Sequence, residues 1–283
     1  MTIPSAVRAR IEFSGGPGPL RPSYRLSIRQ CLTAFGAALV MPGLIFAAIL
    51  LWTFGQSERS RYEQEARDAT LRIAAAVDRE LGAIQAGAQA LASAESLARG
   101  DYASFHRQAL ATLQSWSLQR PDEVAVVVRD ATGRQVANTR LPLGSSLPRD
   151  EPGIDADVVA SGAAVHDLAG ADAGQPAVGI RVPVLREGAV AHVLSLSVEP
   201  KRFSEVLRAE KLPPAWTATV IDRQERVVAR SRGPELFLGR PAPDELPGTA
   251  SGDEGLWEGR NLEGTRVLGA YVRSGLSGWR TFV

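Results

Sequence analysis

Two stretches of this sequence, 92 residues apart, repeat one pattern. Asp130-Ala-Thr-Gly-Arg-Gln-Val-Ala-Asn-Thr-Arg140 aligns with Asp222-Arg-Gln-Glu-Arg-Val-Val-Ala-Arg-Ser-Arg232, and five of the eleven positions are identical. Each stretch follows a β-branched run, VAVVV (124–128) in the first copy and TATVI (217–221) in the second. Such a run, followed by turn residues and more extended sequence, predicts a β-hairpin. The repeat therefore predicts two similar modules in tandem.

The sequence around each hairpin predicts how the two modules are built. The first hairpin leads into 141–176, a Gly-, Pro- and Asp-rich connection with a short helix near 153–161. Each module then ends in a strand pair, at Ala177–Leu185 and Val190–Val198 in the first copy and at Arg266–Arg273 and Gly278–Val283 in the second. We therefore expect an α+β fold with modules at 121–212 and 213–283 and antiparallel sheets in both.

An uncharged stretch of 23 residues, Leu32–Phe54, is long enough to cross a bilayer as a helix. Five arginines precede it and none follows closely, which places the basic tail, residues 1–31, in the cytoplasm. The rest of the chain would then lie in the periplasm of a bacterial inner-membrane protein. The alternative is a cleaved signal peptide, but its apolar stretch is usually 7–15 residues and ends at a small-x-small site.

Residues 55–120 are expected to contain a long helix, 57–99, and a second helix that Asp101 caps. Apolar residues recur at intervals of three and four along the long helix and form one stripe. Two uses of this stripe stay open, because it can pack on its own domain or on the same helix in a homodimer. The stripe comprises Ala66, Ala69, Ile73, Val77, Leu81, Ile84, Ala88 and Leu91.

Composition argues against several classes of function. The net charge is +1 and the basic residues are scattered among acidic ones, so we expect no nucleic-acid partner. Cys31 is the only cysteine and lies at the edge of the apolar segment, which excludes disulfides and thiolate metal sites beyond it. We expect no cofactor.

The search for catalytic residues finds no convincing set. The three histidines, His106, His166 and His192, show no metal-ligand spacing, so we expect neither a metal site nor a catalytic centre. Asp155 and Asp157 lie in a turn-rich segment and are interpreted as solvated loop residues. His166 beside Asp167 could transfer a proton, although adjacent residues usually point apart and a lone histidine is usually structural.

Two arginines are the best candidates for a binding site. Arg129 and Arg181 each point away from the apolar face of a predicted strand, so they share one sheet face if the strands are neighbours. Guanidinium groups suit carboxylate or phosphate ligands, and the 141–176 connection could fold over them. The alternative is that both arginines are exposed or paired with loop aspartates. His166, Asp167 and Trp116 are further candidates for ligand contact.

The order of these segments resembles the double Cache sensor region of bacterial transmembrane receptors, above all of sensor histidine kinases. The resemblance covers about residues 57–283 and rests on DATGR (130–134), GIRVPVLREGAVAHVLSLSV (179–198) and VLGAYV (267–272) followed by SGWR (277–280). It implies two PAS-like modules, of which the membrane-distal one binds a small metabolite. It also implies that a second membrane helix and a cytoplasmic kinase follow in the complete receptor, so we expect this chain to be a fragment or a truncated gene product without a catalytic domain.

Two further expectations follow for function. The region LQSWSLQRPDE (113–123) departs from the Tyr, Arg and Trp-Tyr pattern of amino-acid-binding members, so an amino-acid specificity is not carried over. The leading hypothesis is the ligand-sensing portion of a receptor, with a small and anionic metabolite as ligand and a homodimer formed through helix 57–99. The alternative is a membrane-anchored interaction protein that regulates a partner through the long helix.

Overall fold

The computed structural model of the chain describes residues 27–116, 124–150, 153–170, 176–243 and 252–283. The chain divides into two compact units at Glu58–Arg59. The dividing point lies within the first helix, α1 (Ile28–Ala92). Each unit is described by itself below.

The first unit contains the apolar part of α1. Its segment Cys31–Trp52 is long and apolar enough to cross a membrane, and the side chains described there are exposed. This segment coincides with the predicted span at 32–54 to within two residues at each end. Pro42 lies inside the helix.

In the second unit, α1 contributes its apolar stripe to the core. All eight stripe residues from Ala66 to Leu91 are buried in the single chain. Of the two uses left open by the sequence, the structure therefore shows packing on the chain's own domain. The helix also ends earlier than predicted, because the chain turns at Ser93–Ala94 before the short helix α2 (Glu95–Ala98). Asp101 caps the next helix, α3 (Tyr102–Trp116), by accepting a hydrogen bond from the Ser104 backbone N–H at 3.0 Å.

The first module is a five-stranded antiparallel sheet with the strand order β2-β1-β5-β4-β3. Its strands are β1 (Val124–Asp130), β2 (Gln135–Asn138), β3 (Val165–Ala169), β4 (Ala177–Arg186) and β5 (Ala189–Val198). The short helix α4 (Ala156–Ser161) lies between β2 and β3. The predicted hairpin and strand pair are confirmed, whereas β3 occupies part of the stretch predicted as a connection.

The second module repeats this sheet with the order β7-β6-β10-β9-β8. Helix α5 (Pro200–Ala209) separates the two sheets, and the one-turn helix α6 (Pro234–Phe237) follows β7. The strands are β6 (Thr219–Ile221), β7 (Val227–Arg230), β8 (Glu254–Arg260), β9 (Arg266–Arg273) and β10 (Arg280–Phe282). The α+β fold with a long helix and two tandem antiparallel modules, as expected from the repeat, is confirmed.

The repeated hairpins agree in backbone detail. Gly133 and Glu225 occupy equivalent positions at the offset of 92 residues, and both have positive φ, 78° and 60°. A left-handed residue is what this turn requires, and glycine adopts it without the cost that a β-carbon adds. Both hairpins also contain a β-bulge next to the turn, after Val128 in one and after Val220 in the other. The sequence repeat is therefore a structural repeat.

One hydrophobic core joins the helices to both sheets. It contains residues of α1, α3 and α5 together with one face of each sheet. The opposite face of the first sheet carries a small separate cluster of Val158, Val165 and Val193, and that of the second a larger one around Trp257 and Phe282. Each sheet thus has a helix-packed face and an outer face, and the candidate binding residues Arg129, Arg181 and Asp167 lie on the outer face of the first sheet.

Candidate ligand site

Arg129 and Arg181 lie on the same face of the first sheet. Both of their strands pair with β5, where Arg129 is opposite Val193 and Arg181 is opposite Ser195. Val193 and Ser195 are two residues apart, so their side chains and those of their partners point to one side. This is the outer face, away from α1, as the alternation of the sequence indicated.

The segment between β2 and β3 covers these arginines and supplies carboxylates to them. Asp150 forms an ion pair with Arg129, and it also accepts hydrogen bonds at 2.9 Å from the side-chain amide of Gln135. Asn138 in turn donates to the Gln135 side-chain oxygen at 2.8 Å. Arg181 donates to the backbone carbonyl of Ile154 in the same covering segment. The connection therefore folds over the arginines, and the loop aspartates pair with them.

Asp155 lies between the two guanidinium groups without hydrogen bonding to either. Its Oδ1 is 3.6 Å from Nη1 of Arg129 and 3.7 Å from Nη1 of Arg181, beyond good hydrogen-bond distance. Both carboxylate oxygens of Asp155 and Nη1 of Arg129 are buried and have no hydrogen-bond partner among the residues that the structure describes. Burial raises the pKa of Asp155, and the two arginines oppose this only in part. The expectation that Asp155 is a solvated loop residue is wrong, because the residue is only 7% exposed; Asp157 is exposed as expected.

A second buried aspartate links the site to the other module. Asp167 on β3 accepts a hydrogen bond from Nη2 of Arg181 at 2.6 Å. Nη2 of Arg223, in the turn between β6 and β7, donates to both oxygens of Asp167 at 3.0 Å. Arg129, Arg181 and Arg223 thus alternate with Asp150, Asp155 and Asp167 in one chain of charges across the outer face.

His166 and Trp116 lie apart from this cluster. His166 is opposite Ile180 on β4 and faces α1, where its Nε2 is 2.9 Å from the side-chain oxygen of Gln85. Burial lowers the pKa of His166 to about 4. The ring of Trp116 lies against α1 at Gly87, so closely that a β-carbon there would come within 2.2 Å of it. The structure therefore brings together three of the five predicted site residues, Arg129, Arg181 and Asp167.

Sequence reasoning missed the residues that hold the arginines in place, namely Asp150, Gln135, Asn138 and Arg223. Gln135 and Asn138 offered a usable signal, because both lie in β2 next to the predicted turn and a polar residue on a strand face needs a partner. Asp150 and Arg223 offered none, since the fold of a long connection and the docking of two modules decide their positions. Among the described residues, no group of three or more His, Cys, Asp or Glu side chains could hold a metal ion.

Comparison with known proteins shows similarity to solved structures alone. No protein-family model matches this sequence, and neither does any curated protein. The ligand-binding domain of the Campylobacter jejuni chemoreceptor Tlp3, in complex with L-valine, matches 81% of this chain and 94% of its own length at 13% identity, with a TM-score of 0.55. The sensor domain of the V. cholerae histidine kinase DctB matches 77% of this chain and 95% of its own length at 12% identity, with a TM-score of 0.52.

The chain has the fold of a bacterial sensor domain. A further structure of the Tlp3 sensory domain, with isoleucine bound, agrees, with a TM-score of 0.55 over 81% of this chain at 14% identity. The expected α+β sensor-domain fold is therefore confirmed. Because the sequence identities are this low, the similar structures establish the architecture alone. The class of ligand has to be inferred from the residues of this chain.

Proposed function

We propose that this chain is the extracytoplasmic ligand-sensing portion of a membrane receptor, of the histidine-kinase type. The proposed ligand is a small anionic metabolite that binds the outer face of the first, membrane-distal module. The observation that carries this proposal is the pair Arg129 and Arg181, held on one sheet face beneath a covering segment with a poorly bonded carboxylate between them. Two of the structurally similar sensor domains have a small molecule bound, which supports a ligand-sensing role for this chain.

The spacing around Asp155 explains how an anion could bind there. A ligand carboxylate that reached hydrogen-bond distance of both guanidinium groups would gain two charge-assisted bonds that Asp155 does not make. Asp155 immediately precedes α4, so its displacement would move the covering segment. Arg181 is linked through Asp167 to Arg223 in the second module, which gives the movement a direct route from the first module to the second. A shift of the long helix between two states of a dimer would complete the signal, as the family resemblance suggests.

Ligand binding tests the site. The full chain in detergent micelles is screened by thermal unfolding against acetate, pyruvate, succinate, malate and glutamate, and the Kd of the best anion is measured by calorimetry. A ligand that binds only the folded state raises the free energy of unfolding by about 2.7 kcal/mol at 100 times its Kd. We expect Arg129→Gln and Arg181→Gln each to weaken binding at least about tenfold, because each removes a charged hydrogen bond of about 1.5–3 kcal/mol.

Two matched variants sharpen this test. Asp155→Asn removes the competing negative charge and is expected to tighten binding of the anion. Arg266→Gln removes an arginine of the second module that pairs with exposed Glu258, and it should leave the Kd unchanged. Equal affinity in the wild type, Arg129→Gln and Arg181→Gln would contradict the assignment of the site.

The membrane topology is part of the same proposal. The apolar segment Cys31–Trp52 would anchor the chain in the inner membrane, with the basic tail in the cytoplasm and the sensor modules in the periplasm. Alkaline phosphatase fused after Val283 should then be active in cells, and the same fusion made before Cys31 inactive. A homodimer through helix 57–99 also stays a proposal, and it would use the exposed side of that helix because the apolar stripe is already buried.

A further inference from the structure

The outer face of the second sheet encloses a cavity of about 320 Å³. Register places Arg230 opposite Thr219, Thr219 opposite Phe282 and Phe282 opposite Tyr271, so these residues point to one side of the sheet. Thr219, Arg230 and Phe282 line the cavity. Its volume lies within the range of small-molecule binding pockets.

This face corresponds to the candidate ligand face of the first module. At the offset of 92 residues, Thr219 is equivalent to Val127 and Arg230 to Asn138, which lie on the outer face of the first sheet. The chemistry of the two faces differs. The first carries the alternating arginines and aspartates, whereas the walls of the second are mostly apolar and aromatic, formed by Ile221, Val227, Trp257, Val267, Phe282 and Trp216.

Arg230 is the buried charged group of the cavity lining, which also includes Glu63 and Arg260. The residue is only 2% exposed, its Cζ lies 4.3 Å from the centre of the Phe237 ring, and its Nε is buried without a hydrogen-bond partner. Its outer nitrogens are paired with Glu263, with Nη2 donating to Oε2 at 2.8 Å. A buried guanidinium against an aromatic ring is costly to retain unless an anion compensates it.

Glu263 is a replaceable partner for this arginine. It lies in the turn between β8 and β9, and its side chain is 44% exposed. The hydrogen bond from Arg230 lowers the pKa of Glu263, so the carboxylate is charged at neutral pH. Glu263 holds Arg230 through both carboxylate oxygens, and a ligand carboxylate in its place would make the same two contacts. Glu263 would return to water, and the body of the ligand would bury apolar surface in the cavity, which favours the exchange.

We propose that this cavity is a second ligand site, for a small monocarboxylate with an apolar or aromatic body. The body packs among Trp257, Phe282 and the aliphatic walls, and the carboxylate takes the place of Glu263 on Arg230. The site is independent of the anion site on the first module, since it uses none of the residues of that site.

Calorimetry on the full chain in detergent micelles tests this proposal, with phenylacetate and 4-methylpentanoate as probes. We expect at least one probe to bind, and the neutral amide phenylacetamide to bind at least tenfold more weakly. Arg230→Met keeps an unbranched side chain and removes the charge, so it should weaken binding of that probe at least tenfold. Glu263→Gln removes the competing carboxylate and should tighten binding several-fold, and this opposite sign cannot come from general destabilisation.

Three further variants locate the probe and control for folding. Val267→Phe fills the cavity from β9 and should abolish binding, whereas Glu258→Gln, on an exposed position of β8, should not change it. Arg181→Gln should also leave the affinity unchanged, which separates this site from the anion site of the first module. The proposal is overturned if neither probe binds the wild type or Glu263→Gln. It is also overturned if a probe binds but Arg181→Gln abolishes this binding and Arg230→Met does not change it.

Discussion

Asp130 and Asp222 show how one repeated residue acquires two roles. Each accepts hydrogen bonds through Oδ1 from backbone N–H groups two and four residues later, which closes the hairpin turn. Oδ2 of Asp222 also accepts a hydrogen bond, at 3.3 Å, from the backbone N–H of Leu168 on β3 of the other module. Burial raises the pKa of Asp222, and the three backbone N–H groups oppose this by stabilising the charged form. The same turn residue is thus also a contact between the modules.

Alanine substitution at these two aspartates should separate the roles. Asp130→Ala loses the turn hydrogen bonds at a half-exposed position and should lower the free energy of unfolding by about 1 kcal/mol. Asp222→Ala should cost about 2–3 kcal/mol, because it also leaves the buried Leu168 N–H without a partner. Urea denaturation of the detergent-solubilised chain, followed by tryptophan fluorescence, measures both. Equal losses would show that the contact to Leu168 contributes nothing.

His166 predicts how stability depends on pH. Burial lowers the pKa of its ring to about 4, while Asp167 raises this pKa and Arg223 lowers it to smaller extents. As the pH falls, the ring therefore gains its proton in the unfolded state before it does so in the folded state. The contribution of the neutral ring to the free energy of unfolding is complete above about pH 6.5 and is lost toward pH 4. The shift corresponds to about 3 kcal/mol at most.

The matched variant for this prediction is His166→Gln, which cannot gain a proton and retains an amide that can hydrogen bond with Gln85. Urea midpoints between pH 7 and pH 4 should fall less steeply in the variant than in the wild type. The other titratable groups, among them the buried Asp155 and Asp222, are common to both proteins and cancel in the comparison. Parallel pH profiles would contradict the assignment.

At the scale of elements, the sequence predicts the parts of this fold that carry a strong period. β1 is a β-branched apolar run followed by turn residues, the long strands β4 and β5 contain apolar residues at every second position, and the apolar stripe of α1 recurs every three or four residues. Strand β3 reads VHDLA, where His166 and Asp167 interrupt the apolar pattern of a short edge strand. Its place in the sheet follows from pairing with β4, a non-local contact that no local pattern encodes.

The candidate site shows the same division between local and non-local information. Alternation predicts that Arg129 and Arg181 each point away from the apolar face of their own strand. The pairing of both strands with β5 then places the two arginines on one face of the sheet. The aspartates that pair with them lie in the stretch predicted as a connection. Asp167 also pairs with Arg223, and this ion pair depends on the contact between the two modules. A pattern of Gly, Pro and Asp predicts only that the chain turns there, so the buried position of Asp155 could not be predicted.

At the scale of the whole molecule, the described residues between 59 and 283 form a single compact unit although they contain two sheets. One hydrophobic core includes α1, one face of each sheet and α5. Trp279, in the turn before β10, is fully buried in this core. Its Nε1 donates at 3.1 Å to the backbone carbonyl of His166 in the first module, and its ring meets Phe203 of α5 edge-on at 5.8 Å. The two modules are therefore expected to unfold together.

Differential scanning calorimetry of the detergent-solubilised chain tests this cooperativity. The wild type should unfold in one transition with equal calorimetric and van't Hoff enthalpies. Trp279→Ala removes a buried indole where the modules meet and should cost about 3–5 kcal/mol, enough to lower the Tm by about 10 °C and to split or broaden the transition. Trp279→Phe keeps most of the apolar volume and loses the hydrogen bond to His166, so one transition should persist at a cost of about 1 kcal/mol. Two separate transitions in the wild type would contradict the shared core. They would also contradict the proposal that ligand binding to the first module affects the second through contacts between them.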